Sequence, residues 1–320
     1  MIRRHWLLAA AAMAAGPARA QTAYPSRPVT LIVPFAPGGI ADITARTVAQ
    51  AMGQSLGQTF VVDNRPSAGS IVASQAVAKA APDGYTLLLM SNGNAVSASL
   101  FKKLPFDVIK EFAPVSTLGF FELVICVARE SRFTSLRELV AYGKANPGKL
   151  TLASITVGST QHLAAELFKA RTGIDAVVVP YKGSPAVLTA LRAGEVDAGF
   201  EILGPTLPQI TGGALRALAV TGRRRNASLP EVPTAIEQGV ASYEVESWNA
   251  LAAPAGTPPA VIERLQRAAQ EALTKPEVGQ RLAELGVRAQ GGTPAQLQDL
   301  LASEIKRWRE VIAVARIEPQ

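Results

Sequence analysis

Short apolar runs alternate with segments of helical periodicity along most of this sequence. The first such unit begins with the β-branched run 29–33, passes through a Pro/Gly loop at 34–39, and shows apolar residues at helical spacing from Ile40 onward. This order predicts a strand, a tight loop and a helix. Gly38 and Gly39 would let the backbone approach a ligand closely, and the helix start would add unpaired N–H groups that suit an anion. An ordinary strand–helix turn would give the same pattern.

The alternation recurs down the chain and defines the fold class. Further strands are predicted at 59–63, 85–90, 112–118, 122–128, 150–154, 176–180, 196–202 and 215–220. Further helices are predicted at 71–80, 135–146, 162–171, 186–193, 258–272, 276–284 and 294–315. Strands that alternate with helices predict an α/β protein with mostly parallel sheets.

The pattern breaks twice, and each break predicts a crossing between two domains. Strands 112–118 and 122–128 follow each other with only a short link, and segment 243–254 ends the second run of alternating elements. We therefore predict a discontinuous first domain, 21–122 with 245–320, and a second domain, 123–244. The apolar face around Trp308 is expected to pack on the first domain. Two crossings beside a cleft would form a hinge.

The N-terminal segment has the composition of a secretory signal peptide. Arg3 and Arg4 precede a short apolar run, and Ala18-Arg19-Ala20 supplies the small residues of a cleavage site. Cleavage is predicted after Ala20, so that 1–20 is a leader; a retained membrane anchor is the alternative. No later run reaches the ~20 apolar residues of a membrane span. The mature chain is therefore expected to be soluble and exported.

Charge and cysteine content narrow the function further. The formal net charge is +7 over 320 residues, but three basic residues and no acid lie in the leader, so the remaining chain carries about +4. The basic run 223–225 has no aromatic neighbours, which argues against nucleic-acid binding. The single cysteine, Cys126, lies in an apolar strand and is interpreted as a small buried hydrophobe.

The sequence carries no motif for catalysis, for a metal or for a cofactor. His162 is the only histidine after the leader, no G-x-S-x-G elbow is present, and no cluster of His, Cys and carboxylates has ligand spacing. Walker A and G-x-G-x-x-G motifs are also missing. We therefore expect no enzyme, no cofactor and no metal; an exported hydrolase that uses His162 is the alternative.

Candidate ligand groups lie in the loops after the predicted strands, where parallel sheets gather their ligands. Besides loop 34–39, these are loop 91–94 with Ser91, Asn92 and Asn94, loop 158–162, Tyr181 with Lys182, and Glu201. The hydroxyls of loop 158–162 could accept an anion or simply cap a helix. Tyr181 and Lys182 could face an acidic ligand or form a solvated turn. Glu201 could line the cleft or pair locally.

Short motifs spread over nearly the whole mature chain follow one recognisable order. They include YPSRP at 24–28, VPFAPGG at 33–39 followed by Asp42, NRP at 64–66, PDGYTL at 82–87, LPFD at 104–107, NPGKL at 146–150, HLAAELF at 162–168, VPYKG at 179–183, LPEVPT at 229–234, Trp248 and APAGTP at 253–258. In this order they resemble the tripartite tricarboxylate transporter receptor family, the TctC-like or Bug family of periplasmic solute-binding proteins.

The resemblance implies a type II periplasmic-binding-protein fold, in which two α/β domains close on a small ligand. Family members typically bind carboxylates through loop backbone groups and ordered waters, without an arginine clamp. Transferred residue by residue, the first wall of the cleft would consist of Phe35, Ala36, Gly38, Gly39 and Asp42. The facing wall would consist of Gly158, Ser159, Thr160 and His162, with Tyr181 and Lys182 nearby.

Five positions depart from the family pattern. The chain has Ser67-Ala68-Gly69-Ser70 where Gly-Ala-Gly-Gly is common, and Thr156 where a glycine is common. Glu201 stands in place of a more usual Asp or Asn, and Pro37 in place of a small residue. The resemblance therefore does not specify which ligand the pocket selects, and a tricarboxylate ligand is not assumed.

The resemblance leads to one expected function and one alternative. The chain is expected to be a monomeric periplasmic receptor for a small carboxylate, which could be a di- or tricarboxylate, an amino acid or an aromatic acid. It would deliver this ligand to membrane subunits of a tripartite tricarboxylate-type transporter. The alternative is a signalling partner of a sensor ectodomain with no role in uptake, which would use the same binding chemistry.

Overall fold

The computed structural model describes residues 24–314 and 317–319, so the predicted leader 1–20 lies outside the described residues. The strands are β1 (Val29–Val33), β2 (Phe60–Asn64), β3 (Thr86–Ser91), β4 (Phe112–Ala128), β5 (Leu150–Ile155), β6 (Ala176–Tyr181), β7 (Ala198–Ile202), β8 (Leu215–Val220), β9 (Glu246–Pro254) and β10 (Arg288–Ala289). The helices are α1 (Ile40–Leu56), α2 (Ile71–Ala78), α3 (Asn92–Leu100), α4 (Leu136–Ala145), α5 (Thr160–Thr172), α6 (Ser184–Ala193), α7 (Leu203–Thr211), α8 (Pro259–Thr274), α9 (Pro276–Glu284) and α10 (Pro294–Val314).

The strands form two sheet halves that share β4. The first half has the order β2-β1-β3-β9-β4, and the second continues as β4-β7-β5-β6, with β8 and β10 also paired to β4. Pairing is parallel where β1 meets β2 and β3, and where β5 meets β6 and β7. It is antiparallel wherever β4 or β9 takes part. The sheets are therefore mixed, because the two crossing strands run against the βαβ units that were predicted to be parallel.

The first crossing is one long strand and not the two strands predicted from sequence. β4 has 17 residues and passes through the predicted link without a break. Its register shifts beside Pro114 and again before Gly119, and such bulges accommodate a proline inside a strand. Its partner changes from β9 at Glu122 to β7 at Leu123. The crossing is therefore a continuous strand shared by both halves.

Three further segments differ from the prediction. Segment 91–94 was predicted as a loop, but Ser91 caps α3, which starts at Asn92. Segment 243–254 was predicted only as a crossing, but most of it is the buried strand β9. Helix α7 was not predicted, because Gly204 and Pro208 obscure its helical pattern.

The core consists of apolar clusters on both faces of the sheets. One cluster joins the two halves and contains Trp308 of α10, which is fully buried. A second belongs to the first half and a third to the second half. Cys126 lies fully buried in β4, and burial raises the pKa of its thiol. Among the described residues, no helix combines the length and apolar composition needed to cross a membrane.

Candidate functional site

A cavity lies between the two sheet halves, at the carboxyl ends of their parallel strands. The centres of water-sized molecules can occupy about 50 Å³ of it. The walls are mostly apolar, with Phe35, Phe121, Ile155 and Ile202 among the lining side chains. Both halves contribute to it, so a bound molecule would contact both at once.

In the described part of the chain, five helices begin at this cavity, namely α1, α3, α5, α6 and α7. Ser91 at the start of α3 and Ser159 at the start of α5 each accept a hydrogen bond from their own helix, which satisfies part of the free N–H groups there. The caps of α1 and α6 are Gly39 and Gly183, and neither has a side-chain cap. Gly39, Ile40 and Ala41 of α1 line the cavity. The first turn of α1 therefore presents unpaired N–H groups and a positive dipole end to a ligand.

The loop that leads into α1 is held by Asp42. Its carboxylate accepts hydrogen bonds from the Gly38 N–H at 3.0 Å, from Arg46 Nε at 3.0 Å and from Asn64 Nδ2 at 2.9 Å. Burial alone would raise the pKa of Asp42, but these hydrogen bonds and the Arg46 charge lower it. Asp42 is therefore ionised and fully occupied by protein groups. It shapes the loop, and it is not among the residues that line the cavity.

Positive charge at the cavity is sparse. Arg46 is turned away, because it pairs with Asp42 and donates to Asn64 Oδ1 at 2.9 Å. Lys182 is the one cationic residue among the described lining residues, and it is exposed. Anion binding at this site would therefore depend on backbone N–H groups more than on a cationic side chain.

A series of hydrogen bonds that includes the lining residues Thr160 and Ser247 joins the two halves. Thr160 Oγ1 of α5 lies 2.8 Å from Ser247 Oγ of β9 and accepts a bond from Asn92 Nδ2 at 3.1 Å. Asn92 Oδ1 in turn accepts from Trp308 Nε1 at 2.6 Å. These hydrogen bonds fix the start of α5 against the first half and against the C-terminal helix.

Close backbone contact supports the same junction. Gly158 has a φ of +83°, and a Cβ added to it would lie 3.2 Å from the Cα of Gly69. The Gly69 N–H donates to the Val157 carbonyl at 3.2 Å across the junction. Glycine is thus favoured at position 158 both by its conformation and by the tight contact with Gly69.

Glu201 is fully buried next to the cavity wall. Its Oε2 accepts from Ser184 Oγ at 2.7 Å and from the Ile202 N–H at 3.3 Å, while its Oε1 has no hydrogen-bond partner among the described residues. Burial raises the pKa of Glu201 to about 7, although hydrogen bonding from Ser184, Ile202 and Gln161 lowers it in part. The Gln161 amide faces this carboxyl, but no hydrogen bond of ordinary geometry joins its Nε2 to Oε1.

His162 lies near the site but does not line the cavity. Its Nδ1 has no partner in the described part of the chain, and its backbone N–H donates to Ser159 Oγ at 3.1 Å. Burial lowers the pKa of His162; Glu166 opposes this shift and Lys169 adds to it. The imidazole is therefore neutral at neutral pH. Between residues 24 and 314, and at 317–319, no group of three or more His, Cys, Asp or Glu side chains is placed to hold a metal ion.

The family model for the tripartite tricarboxylate transporter family receptor, TctC, matches residues 44–316. The protein BugT of Bordetella pertussis is 41% identical over 300 residues, which cover 93% of this chain and 92% of BugT. The chain belongs to the tripartite tricarboxylate transporter receptor family.

Solved structures agree with this assignment. The periplasmic binding protein BugD is similar with a TM-score of 0.88 at 33% identity, covering 93% of this chain and 100% of BugD. Rpa4515 of R. palustris, solved with adipate, has a TM-score of 0.88 at 35% identity over 93% of this chain and all 100% of that one. MatC of Rhodopseudomonas palustris, solved with bound malate, has a TM-score of 0.86 at 32% identity over 90% of this chain and 100% of MatC.

These matches confirm the predicted family and the predicted periplasmic-binding-protein fold. The receptor is therefore a periplasmic solute-binding protein of the TctC family. This family and this fold are those of solute-binding receptors and not of enzymes.

The cavity of the receptor brings together part of the residues singled out from sequence. Those that line it are Phe35, Ala36, Gly39, Ser91, Thr160 and Lys182. Gly38, Asp42, Asn92 and Ser159 lie behind this lining and hold it through the hydrogen bonds given above. The remaining predicted residues, which are Asn94, Gly158, His162, Tyr181 and Glu201, also lie outside the lining.

Sequence reasoning missed several lining residues. Some adjoin predicted positions, namely Ile40, Ala41, Gln161, Gly183, Ser184 and Pro185. Extending each predicted loop into the first helical turn would have found them. Others, namely Phe121, Ile155, Ile202, Ser247 and Asn249, lie on strands. No local signal marks the residues of β4 and β9, because long-range pairing brings those strands to the cavity.

Proposed function

We propose that this receptor captures a small carboxylate in the cavity between its two halves and delivers it to a tripartite tricarboxylate-type transporter. One carboxylate group would bind at the first turn of α1. The two halves would act as separate domains, 21–122 with 245–320 and 123–244, that close around the ligand.

The observation that carries this proposal is the uncapped start of α1. Gly39 provides no side-chain cap, and the residues of the first turn line the cavity. A carboxylate there would satisfy free N–H groups and interact favourably with the helix dipole. The Asp42 carboxylate accepts a hydrogen bond from the Gly38 N–H and so fixes the loop that leads into α1.

The relatives support a carboxylate as the ligand class. Rpa4515 was solved with adipate and MatC with bound malate, and both share more than 30% identity with this chain over nearly its full length. Because the lining is mostly apolar, we expect the rest of the ligand to be less polar than its carboxylate end. Export with cleavage after Ala20 would bring the receptor to the periplasm, where such a ligand is collected.

The binding test compares carboxylates with the uncharged primary amides of the same skeletons by titration calorimetry. We expect the acids to bind at least tenfold more tightly, because hydrogen bonds to a charged group contribute ~1.5–3 kcal/mol each. Equal affinities of the acids and their amides would contradict the proposal of an anion site. Binding must also occur without chemical change of the ligand, and turnover that depends on His162 would favour a hydrolase instead.

A variant pair tests the role of the helix start. Ile40→Pro removes one free N–H at the first helical position, where proline is tolerated, and Gly39 already has the extended conformation that proline requires before it. Ile40→Ala is the control, because it removes the same side-chain packing and keeps the N–H. We expect Ile40→Pro to bind about tenfold more weakly than Ile40→Ala. Equal affinities would contradict a carboxylate at this position.

A further inference from the structure

Two buried amide residues line the cavity and have side-chain polar atoms without a hydrogen bond of ordinary geometry to the described residues. Asn249 of β9 is 1% exposed, and neither its Nδ2 nor its Oδ1 makes a hydrogen bond with the described residues. Gln161 in the first turn of α5 is 3% exposed, and its Nε2 is directed towards the Glu201 carboxyl without forming a hydrogen bond of ordinary geometry. Both residues line the cavity, one from each half. Buried amides are normally satisfied, so these two point to an external partner.

Neighbouring buried amides have hydrogen-bond partners within the protein, so the lack of partners among the described residues is particular to Asn249 and Gln161. Asn94 is fully buried, and it donates to Ser74 Oγ at 2.8 Å and accepts from the Ser91 N–H at 2.9 Å. Asn92 is bound through both of its side-chain polar atoms. The fold therefore satisfies its structural amides and leaves free those that line the cavity.

The chemistry of the pair selects among ligand groups. The two amides offer N–H donors together with the Asn249 Oδ1 acceptor, so a group that both donates and accepts would satisfy them. A second carboxylate only accepts, and it would leave Asn249 Oδ1 unpartnered. It would also bring negative charge towards Glu201, whose carboxyl lies beside Gln161 and Ser184. No buried cation among the described lining residues would offset that charge.

We propose that Asn249 and Gln161 form a subsite for an uncharged group that both donates and accepts hydrogen bonds. The preferred ligands are then monocarboxylates that carry a carboxamide or hydroxyl group, in preference to dicarboxylates. This inference rests on the proposed function, because it places the subsite beside a carboxylate bound at the start of α1.

The test uses pairs of ligands that differ at one end only. Succinamate is compared with succinate, glutaramate with glutarate, adipamate with adipate, and 4-carbamoylbenzoate with terephthalate, so that skeleton and size are matched within each pair. Affinities are measured by titration calorimetry on the full mature receptor. We expect the half-amide of the best-fitting skeleton to bind about tenfold more tightly than its diacid, which corresponds to ~1.4 kcal/mol.

Variants of the two amides assign the preference to the subsite. Asn249→Leu and Gln161→Met keep similar volume and remove the polar groups. Each is expected to reduce the half-amide preference to about threefold or less while the parent monocarboxylate still binds. Because the Asn249 side chain has no hydrogen-bond partner among the described residues, Asn249→Leu is also expected to keep or raise the Tm of the ligand-free protein. Asn94→Leu is the matched control and should lower the Tm.

The outcomes separate this inference from the function on which it rests. A diacid that binds as tightly as its half-amide, or a preference that survives in both variants, overturns the subsite and leaves carboxylate capture standing. If Asn249→Leu lowers the Tm as much as Asn94→Leu does, Asn249 has a structural role. That result would also overturn the subsite. If no carboxylate binds, the proposed function fails and the subsite with it.

Discussion

At the scale of single residues, Asp42 has the most connected role near the site. It is a buried carboxylate that holds the Gly38 N–H, Arg46 and Asn64 together, and Asn64 also donates to the Phe35 carbonyl at 3.0 Å. The shape of the loop before α1 therefore depends on one side chain that need not touch the ligand.

Asp42→Ala is expected to destabilise the receptor and to weaken ligand binding. The substitution removes the charged acceptor of three donors, of which Gly38 and Arg46 are exposed and Asn64 is partly buried, and hydrogen bonds to charged groups contribute ~1.5–3 kcal/mol each. We expect a loss of roughly 2–3 kcal/mol in urea unfolding and an affinity at least tenfold lower. Asp42→Asn keeps an acceptor for Gly38, so its stability and its ligand affinity should lie between those of Asp42→Ala and the wild type. Unchanged affinity in Asp42→Ala would show that the loop does not form the site.

Glu201 makes the stability of the folded receptor depend on pH. Its pKa is raised to about 7 in the folded protein because burial disfavours the charged form, whereas an ordinary glutamate has a value of 4.5. The folded state therefore binds more protons than the unfolded state between these values, and stability falls as the pH rises through this window. The difference corresponds to ~3 kcal/mol at most.

Glu201→Gln removes this titration while keeping an acceptor for Ser184 and Ile202. At pH 5 the variant should be more stable than the wild type by less than ~1 kcal/mol, and at pH 8 by up to ~3 kcal/mol. Groups that titrate equally in both proteins cancel in this comparison. A stability difference that does not change between pH 5 and pH 8 would mean that Glu201 does not titrate as described.

At the scale of elements, the strand–loop–helix units and both ends of β4 were predictable, whereas β9 and the middle of β4 were not. β1 and α1 could be read from an apolar run followed by helical spacing, because both signals are local. β9 and the middle of β4 have no such signal, since their pairing partners are far away in sequence. The same difference explains why Gly39 was identified as a site residue and Asn249 was missed.

The start of α3 illustrates how packing overrides local preference. Asn92, Gly93 and Asn94 favour turns, so a loop was predicted there. In the structure Ser91 and Asn94 form a capping box and the whole first turn is buried. The sequence contained the cap, but only the tertiary environment decides that a helix follows it.

The glycine at the start of the α5 loop tests the junction between the halves. Gly158→Ala and Gly148→Ala both place alanine at positive φ, which costs ~1 kcal/mol or more. Only at Gly158 would the new Cβ also press against Gly69, at 3.2 Å from its Cα. We therefore expect a larger loss of stability for Gly158→Ala, together with weaker ligand binding. Equal effects of the two substitutions on stability and binding would argue against this junction.

At the scale of the whole molecule, the two halves contact each other at two places. On one side are the apolar cluster around Trp308 and the hydrogen bonds that link Asn92 through Thr160 to Ser247. On the other side, a Cβ added to Gly183 would lie 3.9 Å from the Cβ of Ala36, and Phe35 packs against the apolar clusters of both halves. Under the proposed function, the two halves would separate at Ala36 and Gly183 with bending in β4 to admit a ligand.

The central claim is that a carboxylate binds at the first turn of α1, between the two halves. A crystal structure of the receptor with its tightest-binding carboxylate tests this most directly. The account predicts a carboxylate oxygen within about 3 Å of an N–H of Gly39, Ile40 or Ala41, directly or through one ordered water. A carboxylate bound at another helix start, or outside the cavity, would contradict it.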